Sequence, residues 1–281
     1  MNTNSKTKKN LLCTLLALLT FAPMCSTTAK EVEDEFGIWT TVEASKKINK
    51  KFKAVFEGEF RTMDALSEVE RYSIGARIDY KINKLFKTNA GYSFIYNQKP
   101  DETSIKEAFD ESLGMYDYNV DHAYWTVRNR FYVTLQGEYK IGRFEIGLRE
   151  RLQYTRTNST STDETKYRWG QNMGTDGTLS DPVLNHETEK EYKDTKENTT
   201  VRSRLNIKYD IPNCKINPFV SVELYTRVDE WKGCDKLRYR IGGSYKINKD
   251  NSISLFYLYQ DANDDDEPKG HAIGFEYSID L

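Results

Sequence analysis

Apolar and polar residues alternate along much of the chain. Between Arg71 and Ile82, in the stretch RYSIGARIDYKI, apolar or aromatic residues occupy every second position and the charged residues fall between them. Such alternation is typical of a β-strand, whose successive side chains point to opposite faces. It persists here for twelve residues, whereas an ordinary strand has about 5–6. The sequence therefore predicts an unusually long strand.

Ten segments show this alternation, some more weakly than others, and no segment of helical period interrupts them. They are Lys51–Thr62, Arg71–Ile82, Phe86–Tyr96, Tyr124–Tyr139, Phe144–Tyr154, Thr199–Ile211, Ile216–Thr226, Lys236–Ile247, Ser252–Gln260 and Ala272–Leu281. Strands of about 10 residues or more suit a tilted crossing of a bilayer, where only a closed sheet satisfies every backbone group. We therefore expect an all-β fold, a transmembrane antiparallel up-and-down β-barrel of about 10–12 strands, with short periplasmic turns and long extracellular loops.

One further segment complicates the strand count. Ten strands return both ends of the barrel to the periplasm, but Phe36–Ala44 resembles an eleventh strand. Either this segment completes a twelve-strand barrel with a strand that the pattern does not reveal, or it packs across the lumen or the rim.

A short motif recurs where the strands end. YKIN stands at Tyr80–Asn83 and Tyr245–Asn248, with near-copies at Lys47–Lys50, Tyr139–Gly142 and Tyr209–Pro212. In the copies that begin with tyrosine, this residue ends an outward-facing apolar row, and Lys, Asn, Gly or Pro make the turn that follows. Tyrosine at one fixed depth is typical of a membrane interface. The predicted interface girdle consists of Tyr80, Tyr139, Tyr209 and Tyr245.

The connections at the other end of the strands include two long loops, Gln98–His122 and Thr157–Asn198. The second is polar and acidic in balance and cannot build a core. We expect it to be a flexible outer fringe, or else to contact a partner or a surface polymer. The acidic loop Asp261–Glu267 departs from the EF-hand spacing and is expected to be a solvated turn rather than a specific calcium site.

The first 29 residues resemble a secretory signal peptide. Lys6, Lys8 and Lys9 form a positive n-region, an apolar h-region follows, and Thr-Thr-Ala at 27–29 offers a small-x-small cleavage site. The apolar run is too short to span a membrane comfortably as a retained anchor. Residues 30–281 are then the barrel domain of an exported protein that resides in the cell outer membrane.

Two of the four cysteines, Cys214 and Cys234, lie beyond the signal peptide. The topology places Cys214 in a periplasmic turn and Cys234 in an external loop. A strand between them separates them by about 30 Å, whereas a disulfide needs Cα atoms within about 7 Å. We predict that both remain thiols.

Composition narrows the classes of function. The mean hydropathy of -0.74 excludes a bundle of membrane helices, which needs apolar runs of about 20 residues. The formal net charge is -2, and basic residues are interleaved with acidic ones. No nucleic-acid partner is therefore expected.

Six short stretches resemble a family of Bacteroidetes outer-membrane proteins known as domain of unknown function 2490. The stretches are Phe36–Trp39 (FGIW), Glu57–Thr62 (EGEFRT), Ala90–Phe94 (AGYSF), Leu148–Arg151 (LRER), Ser221–Leu224 (SVEL) and Tyr259–Asp261 (YQD). The resemblance covers essentially the whole mature chain, and the order of the stretches carries it. It implies an outer-membrane barrel in a Gram-negative envelope, with no established activity to carry over.

The predicted lumen face carries many charges, including four Arg-x-Arg pairs that point both guanidinium groups inward. The lumen-lining candidates are Glu57, Glu59, Arg61, Arg77, Arg128, Arg130, Glu138, Arg149, Arg151, Arg202, Arg204, Glu223, Arg238 and Arg240. Asp79 and Glu145 are expected to face the arginines as well. Glu150 falls on the lipid face, where a bulge would turn it inward.

Two interpretations of this lumen stay open. It is either a side-chain-filled core in a barrel with a structural or surface-interaction role, or a narrow anion-preferring channel. A hydrolase is the third and weakest reading, because its best acid and histidine arrangement is His271 beside Asp264–Asp266. We expect no enzyme, cofactor or metal. The expected partners are outer-membrane lipid and lipopolysaccharide, the barrel-assembly machinery and, for a channel, a small anionic solute.

Overall fold

A computed structural model describes residues 35–171, 180–228, 234–262 and 269–281. The strands are β1 (Glu35–Lys47), β2 (Phe52–Met63), β3 (Glu68–Lys81), β4 (Phe86–Lys99), β5 (Glu102–Asp110), β6 (Met115–Asp121), β7 (Tyr124–Ile141), β8 (Phe144–Thr157), β9 (Thr160–Gly170), β10 (Val183–Lys193), β11 (Lys196–Tyr209), β12 (Ile216–Arg227), β13 (Cys234–Lys246), β14 (Asn251–Ala262) and β15 (Gly270–Asp280). Single 3-10 turns occur at Asp64–Leu66 and Glu111–Leu113. In these ranges, no helix has the length and apolarity to cross a bilayer.

The described residues divide into two compact units. The first contains residues 35–95, 129–156 and, apart from the gaps, 197–281; the second contains 96–128 and 157–196, again apart from the gap. The predicted signal peptide lies outside the described residues, as do residues 263–268 of the acidic loop, so these interpretations stay predictions.

The first unit is a closed barrel of eleven strands. Around the ring their order is β1-β15-β14-β13-β12-β11-β8-β7-β4-β3-β2. The prediction of an all-β barrel with about 10–12 strands is confirmed, and the ten alternating segments all form barrel strands.

Strand β1 closes the barrel, which corrects both alternatives for residues 36–44. It pairs antiparallel with β2 and parallel with β15, so that Glu35 lies opposite Gly270 and Ser45 lies opposite Asp280. The segment needs no twelfth strand and does not cross the lumen. With an odd number of strands that otherwise alternate in direction, the first and last strands run the same way. Their parallel ladder satisfies the backbone groups that an open edge would expose.

The two faces of the barrel have opposite character. Large apolar side chains are exposed on the outside, among them Phe56, Ile74, Ile241 and Leu255, and Ile74 is 68% exposed. The inward positions are polar yet buried, with Arg71 and Glu223 each 1% exposed. This distribution is the reverse of that in a soluble domain, whose charged side chains are almost never fully buried unless paired.

The repeated YKIN motif is explained by the turn that follows it. In three copies the Asn side chain accepts two backbone hydrogen bonds from the residues two and three positions later, as Asn83 Oδ1 does from Leu85 (2.8 Å) and Phe86 (2.9 Å). Asn49 and Asn248 do the same in their turns. An Asx turn of this kind is a sequence-local way to reverse the chain. The copy at Tyr139–Gly142 instead ends in a glycine with φ of 60°.

The tyrosines of the predicted girdle lie at or next to the ends of their strands. Tyr80 packs against Phe52 with 4.8 Å between ring centroids, and Tyr209 packs against Phe144 at 4.9 Å. Tyr245 lies under the Lys215 ammonium, and Tyr139 is two residues from the end of β7. Their membrane-interface role stays a prediction.

The second unit is a four-stranded sheet in the order β10-β9-β6-β5. It comprises most of the two long loops, and the segment Thr157–Asn198, expected to be an outer fringe or a contact surface, contributes the paired strands β9 and β10. The described residues of this sheet include no buried apolar side chain, and cross-strand contacts stabilise it instead. Tyr118 stacks on Tyr167, with ring centroids 4.5 Å apart, and Lys190 pairs with Asp163 at 2.6 Å.

Lys193 forms a second set of ion pairs in this sheet, in addition to the pair between Lys190 and Asp163. Burial disfavours its charged form, but hydrogen bonds from its Nζ to Asp121 (2.7 Å) and Glu191 (2.5 Å) outweigh burial and raise its pKa. The polar sequence of this unit thus folds through paired charges and stacked rings.

Cys214 lies in the turn between β11 and β12, and Cys234 is the first residue of β13. Both are thiols, as the topology predicts.

Candidate functional site

The lumen of the barrel contains a polar cavity of about 310 Å³. Ten basic side chains and five carboxylates line it. The basic residues are Arg61, Arg77, Lys87, Arg130, Arg149, Arg151, Arg202, Arg204, Arg238 and Arg240; the acidic ones are Glu43, Glu57, Glu59, Asp79 and Glu276. The charges are not mixed evenly around the ring.

Six arginines form a basic wall on β8, β11 and β13; β8 is next to β11 in the ring, and β12 lies between β11 and β13. They are Arg149, Arg151, Arg202, Arg204, Arg238 and Arg240. Because side chains alternate across a strand, each Arg-x-Arg pair points two guanidinium groups to the same face. The strands β8, β11 and β13 thus present three such pairs to the lumen.

Glu223, on β12, is the buried centre of the basic wall. Its Oε1 accepts from Arg202 Nε at 3.1 Å and from Arg149, while its Oε2 accepts from Arg204 Nη2 at 2.8 Å. In the barrel register Glu223 lies opposite Arg204 on one side and Arg238 on the other. One carboxylate therefore serves three arginines directly and has a fourth beside it.

The other hydrogen bonds of the basic wall go mainly to neutral groups. Arg151 Nε donates to Thr134 Oγ1 at 3.1 Å, and Arg240 Nε donates to Ser221 Oγ at 3.2 Å. Arg238 donates to Gln260 Oε1, with its Nε 3.1 Å away. Arg240 also pairs with Glu276, at 3.3 Å. These neutral acceptors satisfy donors without cancelling charge.

An acidic wall lies across the ring from the basic wall, on β1, β2 and β3. We define it by Glu43, Glu57, Glu59 and Asp79, with Arg61 and Arg77 among them. Arg77 pairs with Glu43 at 2.6 Å, with Asp79 at 3.1 Å and with Glu57 at 3.3 Å. Carboxylates outnumber arginines on this wall, whereas arginines outnumber carboxylates on the basic wall.

Aromatic and aliphatic side chains also enter the lumen. The Trp39 ring has the Arg61 guanidinium 3.8 Å from its centroid and that of Arg238 4.7 Å away, so it connects the two walls. A buried cluster of Phe219, Phe256, Leu258 and Ala272 packs beside Trp39. The Phe256 ring packs directly against Gly274, where any larger residue would clash, because a Cβ on residue 274 would lie 2.0 Å from the ring.

Most of the predicted lumen residues lie where the alternation places them. Eleven of the fourteen line the cavity, and Glu223 is buried among the arginines beneath its surface. Two predictions differ. Arg128 belongs to the second unit and does not line this cavity. Glu138 is not a lining residue either; it pairs with Lys87, 3.0 Å away, and accepts a hydrogen bond from Gln136.

Two further predicted details are corrected. Glu150 needs no inward bulge, because it stays on the outer face of β8 and accepts from Ser203 Oγ at 2.6 Å. Glu145 pairs with Lys140 at 3.2 Å instead of facing the arginines. His271, the hydrolase candidate, packs against Tyr257 and Tyr259 on β14; Asp264–Asp266 lie outside the described residues.

Sequence reasoning missed the apolar lumen residues. The signal was present in β14, where Leu255, Phe256, Tyr257, Leu258 and Tyr259 run without a polar break. An uninterrupted apolar run indicates a strand that is apolar on both faces. The lumen role of Trp39 could not be inferred while the place of β1 was open.

Comparisons with known proteins identify the family of the chain and a solved structure to which it is similar. The family model described as "Protein of unknown function (DUF2490)" matches residues 36–270. No curated protein sequence matches the chain. Among solved structures, the chain is similar to the translocator domain of autotransporter NalP from Neisseria meningitidis, with 8% identity and a TM-score of 0.28, over 93% of this chain and 92% of that one. A TM-score of this size supports no conclusion about function.

Proposed function

This chain belongs to the DUF2490 family of proteins of unknown function, and we propose that it is an outer-membrane β-barrel protein with a structural or surface-interaction role and a largely filled lumen. The observation that carries the proposal is the packed interior: charged side chains such as the buried Glu223 and the half-buried Arg77 pair with several partners across the strands, and an apolar cluster lies beside them. The proposal includes no catalytic step.

The membrane location is supported by the outer surface of the barrel. Apolar side chains such as Phe56, Ile74 and Leu255 are exposed there, while charged side chains are buried inside. In water this surface would be an aggregation hazard, whereas in hydrocarbon it is the favourable arrangement. The signal-peptide features of residues 1–29 agree with export to an outer membrane.

A filled lumen is supported by the burial of its arginines. Arg204, among the more accessible members of the basic wall, has a side chain that is only 19% exposed, and Arg202 is 9% exposed. Eight-stranded barrels are already filled by side chains, and eleven strands here leave about 310 Å³. That volume corresponds to roughly ten water molecules at about 30 Å³ each.

A surface-interaction role is supported by the second unit. Residues 96–128 and 157–196 contain 8 Lys and Arg against 15 Asp and Glu, although the whole chain has a net charge of only -2. Divalent cations that bridge lipopolysaccharide, or a basic surface polymer, suit such an acidic sheet electrostatically.

A second candidate function is a narrow anion-preferring channel. It is favoured by the excess of ten basic side chains over five carboxylates along the cavity. Rings of Arg and Lys select anions in pores.

Planar-bilayer conductance of the purified, heat-modifiable protein distinguishes the two candidates. A folded barrel that conducts nothing agrees with the filled lumen. Discrete anion-selective steps that lose their selectivity in Arg149→Ala/Arg151→Ala would replace it with the channel. The matched control, Glu57→Gln/Glu59→Gln on the acidic wall, is then expected to keep or increase the preference for anions.

A further inference from the structure

We propose that the basic wall is a binding site for a small multivalent oxyanion of the phosphate class. The inference deepens the proposed function, because it rests on the lumen of the folded barrel and names what that lumen would hold. It concerns binding within the barrel, whether or not the barrel conducts.

The first argument is the local charge balance. Among the described residues, Arg149, Arg151, Arg204 and Arg240 have between them two carboxylates as ion-pair partners, Glu223 and Glu276, and Glu223 is shared with Arg202 as well. Arg149, Arg202 and Arg204 share the one carboxylate of Glu223, which brings three positive charges close together. Removing charges from water is costly unless opposite charges compensate them. An anion with at least two negative charges would supply the missing compensation.

The second argument is the availability of donors. Arg149 Nη2 is bonded to Glu223, but Arg149 Nε is shielded from solvent and has no hydrogen-bond partner. Arg151 and Arg240 each give their Nε to a neutral hydroxyl, Arg240 Nη1 pairs with Glu276, and both residues line the cavity. A guanidinium presents five donors in a planar fork that matches the oxygens of phosphate or carboxylate.

The third argument is the shape and position of the free space. The cavity of about 310 Å³ adjoins all six arginines of the basic wall. Trp39 and the cluster around Phe256 form an apolar boundary beside it. Partly excluded water strengthens the electrostatic attraction of an anion to the wall. A monovalent halide would satisfy neither the charge nor the several donors, and a cation would meet the excess of arginine.

The site is tested by thermal unfolding and titration calorimetry of the intact barrel in detergent micelles. The probes are inorganic phosphate and pyrophosphate, with chloride adjusted to hold the ionic strength constant. We expect saturable binding and a rise in the unfolding temperature, with pyrophosphate above phosphate and no saturable effect of chloride. An equal response to every salt, or no saturable binding to the folded protein, overturns the site.

Paired variants locate the binding. Arg149→Gln is expected to weaken the affinity for pyrophosphate at least tenfold, whereas Arg77→Gln, which removes the same charge from the acidic wall, should change it less than threefold. Equal losses in the two would mean attraction by net charge alone and overturn the proposed position. Folding is judged by heat-modifiable migration. If Arg149→Gln does not fold, Arg151→Gln replaces it, because Arg151 has no carboxylate partner in the described structure and its loss leaves no buried carboxylate unpaired.

These outcomes separate the site from the proposed function. A folded protein that reaches the outer-membrane fraction but binds no oxyanion removes the site and leaves the outer-membrane barrel standing. A protein that binds pyrophosphate but fractionates elsewhere keeps the site and removes the location.

Discussion

The basic wall and the acidic wall use the same two kinds of charge in opposite proportions. On the acidic wall, one arginine, Arg77, contacts Glu43, Glu57 and Asp79. On the basic wall, one carboxylate, Glu223, contacts Arg149, Arg202 and Arg204. The central residue differs in burial: the Glu223 side chain is 1% exposed and that of Arg77 is 15% exposed. Each wall is therefore stabilised by one residue of the opposite charge, Arg77 on the acidic wall and Glu223 on the basic wall. Because Glu223 is more deeply buried, the stability of the basic wall depends more strongly on it.

The largest expected effect is that of Glu223→Gln. The amide keeps the volume but replaces one accepting oxygen with a donor, which leaves buried arginines facing an NH₂ group. Breaking a buried ion pair by removing one partner costs about 3–5 kcal/mol. Urea unfolding of the refolded barrel in micelles measures this loss.

Glu57→Gln is the matched control, because Glu57 is 38% exposed and has one Arg77 contact at 3.3 Å. A pair this accessible is worth about 0–1 kcal/mol. Equal losses for Glu223→Gln and Glu57→Gln would show that burial does not distinguish the walls.

An intermediate effect is expected for Arg77→Gln. The substitution leaves Glu43, Glu57 and Asp79 without their shared cation, but water reaches these carboxylates more readily than it reaches Glu223. We expect a loss of about 1–3 kcal/mol in the free energy of unfolding. Lys53→Gln serves as the comparison, since its exposed pair with Asp280 should contribute less than about 1 kcal/mol. A loss larger than that of Glu223→Gln would reverse the ranking of the walls.

The smallest effect is expected for Trp39→Phe. The substitution keeps a ring between the buried Arg61 and Arg238 and weakens, without removing, two cation–π contacts that are each worth about 2 kcal/mol when desolvated. Unfolding measurements on Trp39→Phe, with outward-facing Tyr239→Phe as control, should show a loss of at most about 2 kcal/mol. No difference between the two variants would mean that Trp39 does not couple the walls.

The barrel could be predicted from sequence because its signal is local. Alternation from Phe52 to Thr62 or from Tyr72 to Lys81 depends only on which side chains face lipid-like or polar surroundings. The closing strand could not be placed in the same way. A parallel partner such as β15, more than two hundred residues away in sequence, leaves no hairpin turn as a marker.

The second sheet escaped prediction for a different reason. Strands β9 and β10 lack an apolar face, so hydropathy describes them as loop. Their pairing depends on contacts such as Lys190 with Asp163 and Tyr118 with Tyr167, which appear only once the register is known. In the lumen, the alternation of side chains along each strand is enough to assign the arginines to the inner face. How the charges divide between the two walls depends on which strands are neighbours in the ring, and a single strand does not contain that information.

Because β1 and β15 run in the same direction, the first strand begins at one end of the barrel and the last strand finishes at the other. The chain enters the barrel where Glu35 meets Gly270 and leaves it where Ser45 meets Asp280. In a membrane, therefore, an epitope placed just before Glu35 and one placed after Leu281 would be accessible from opposite compartments. A barrel with an even number of strands would present both epitopes to the same side.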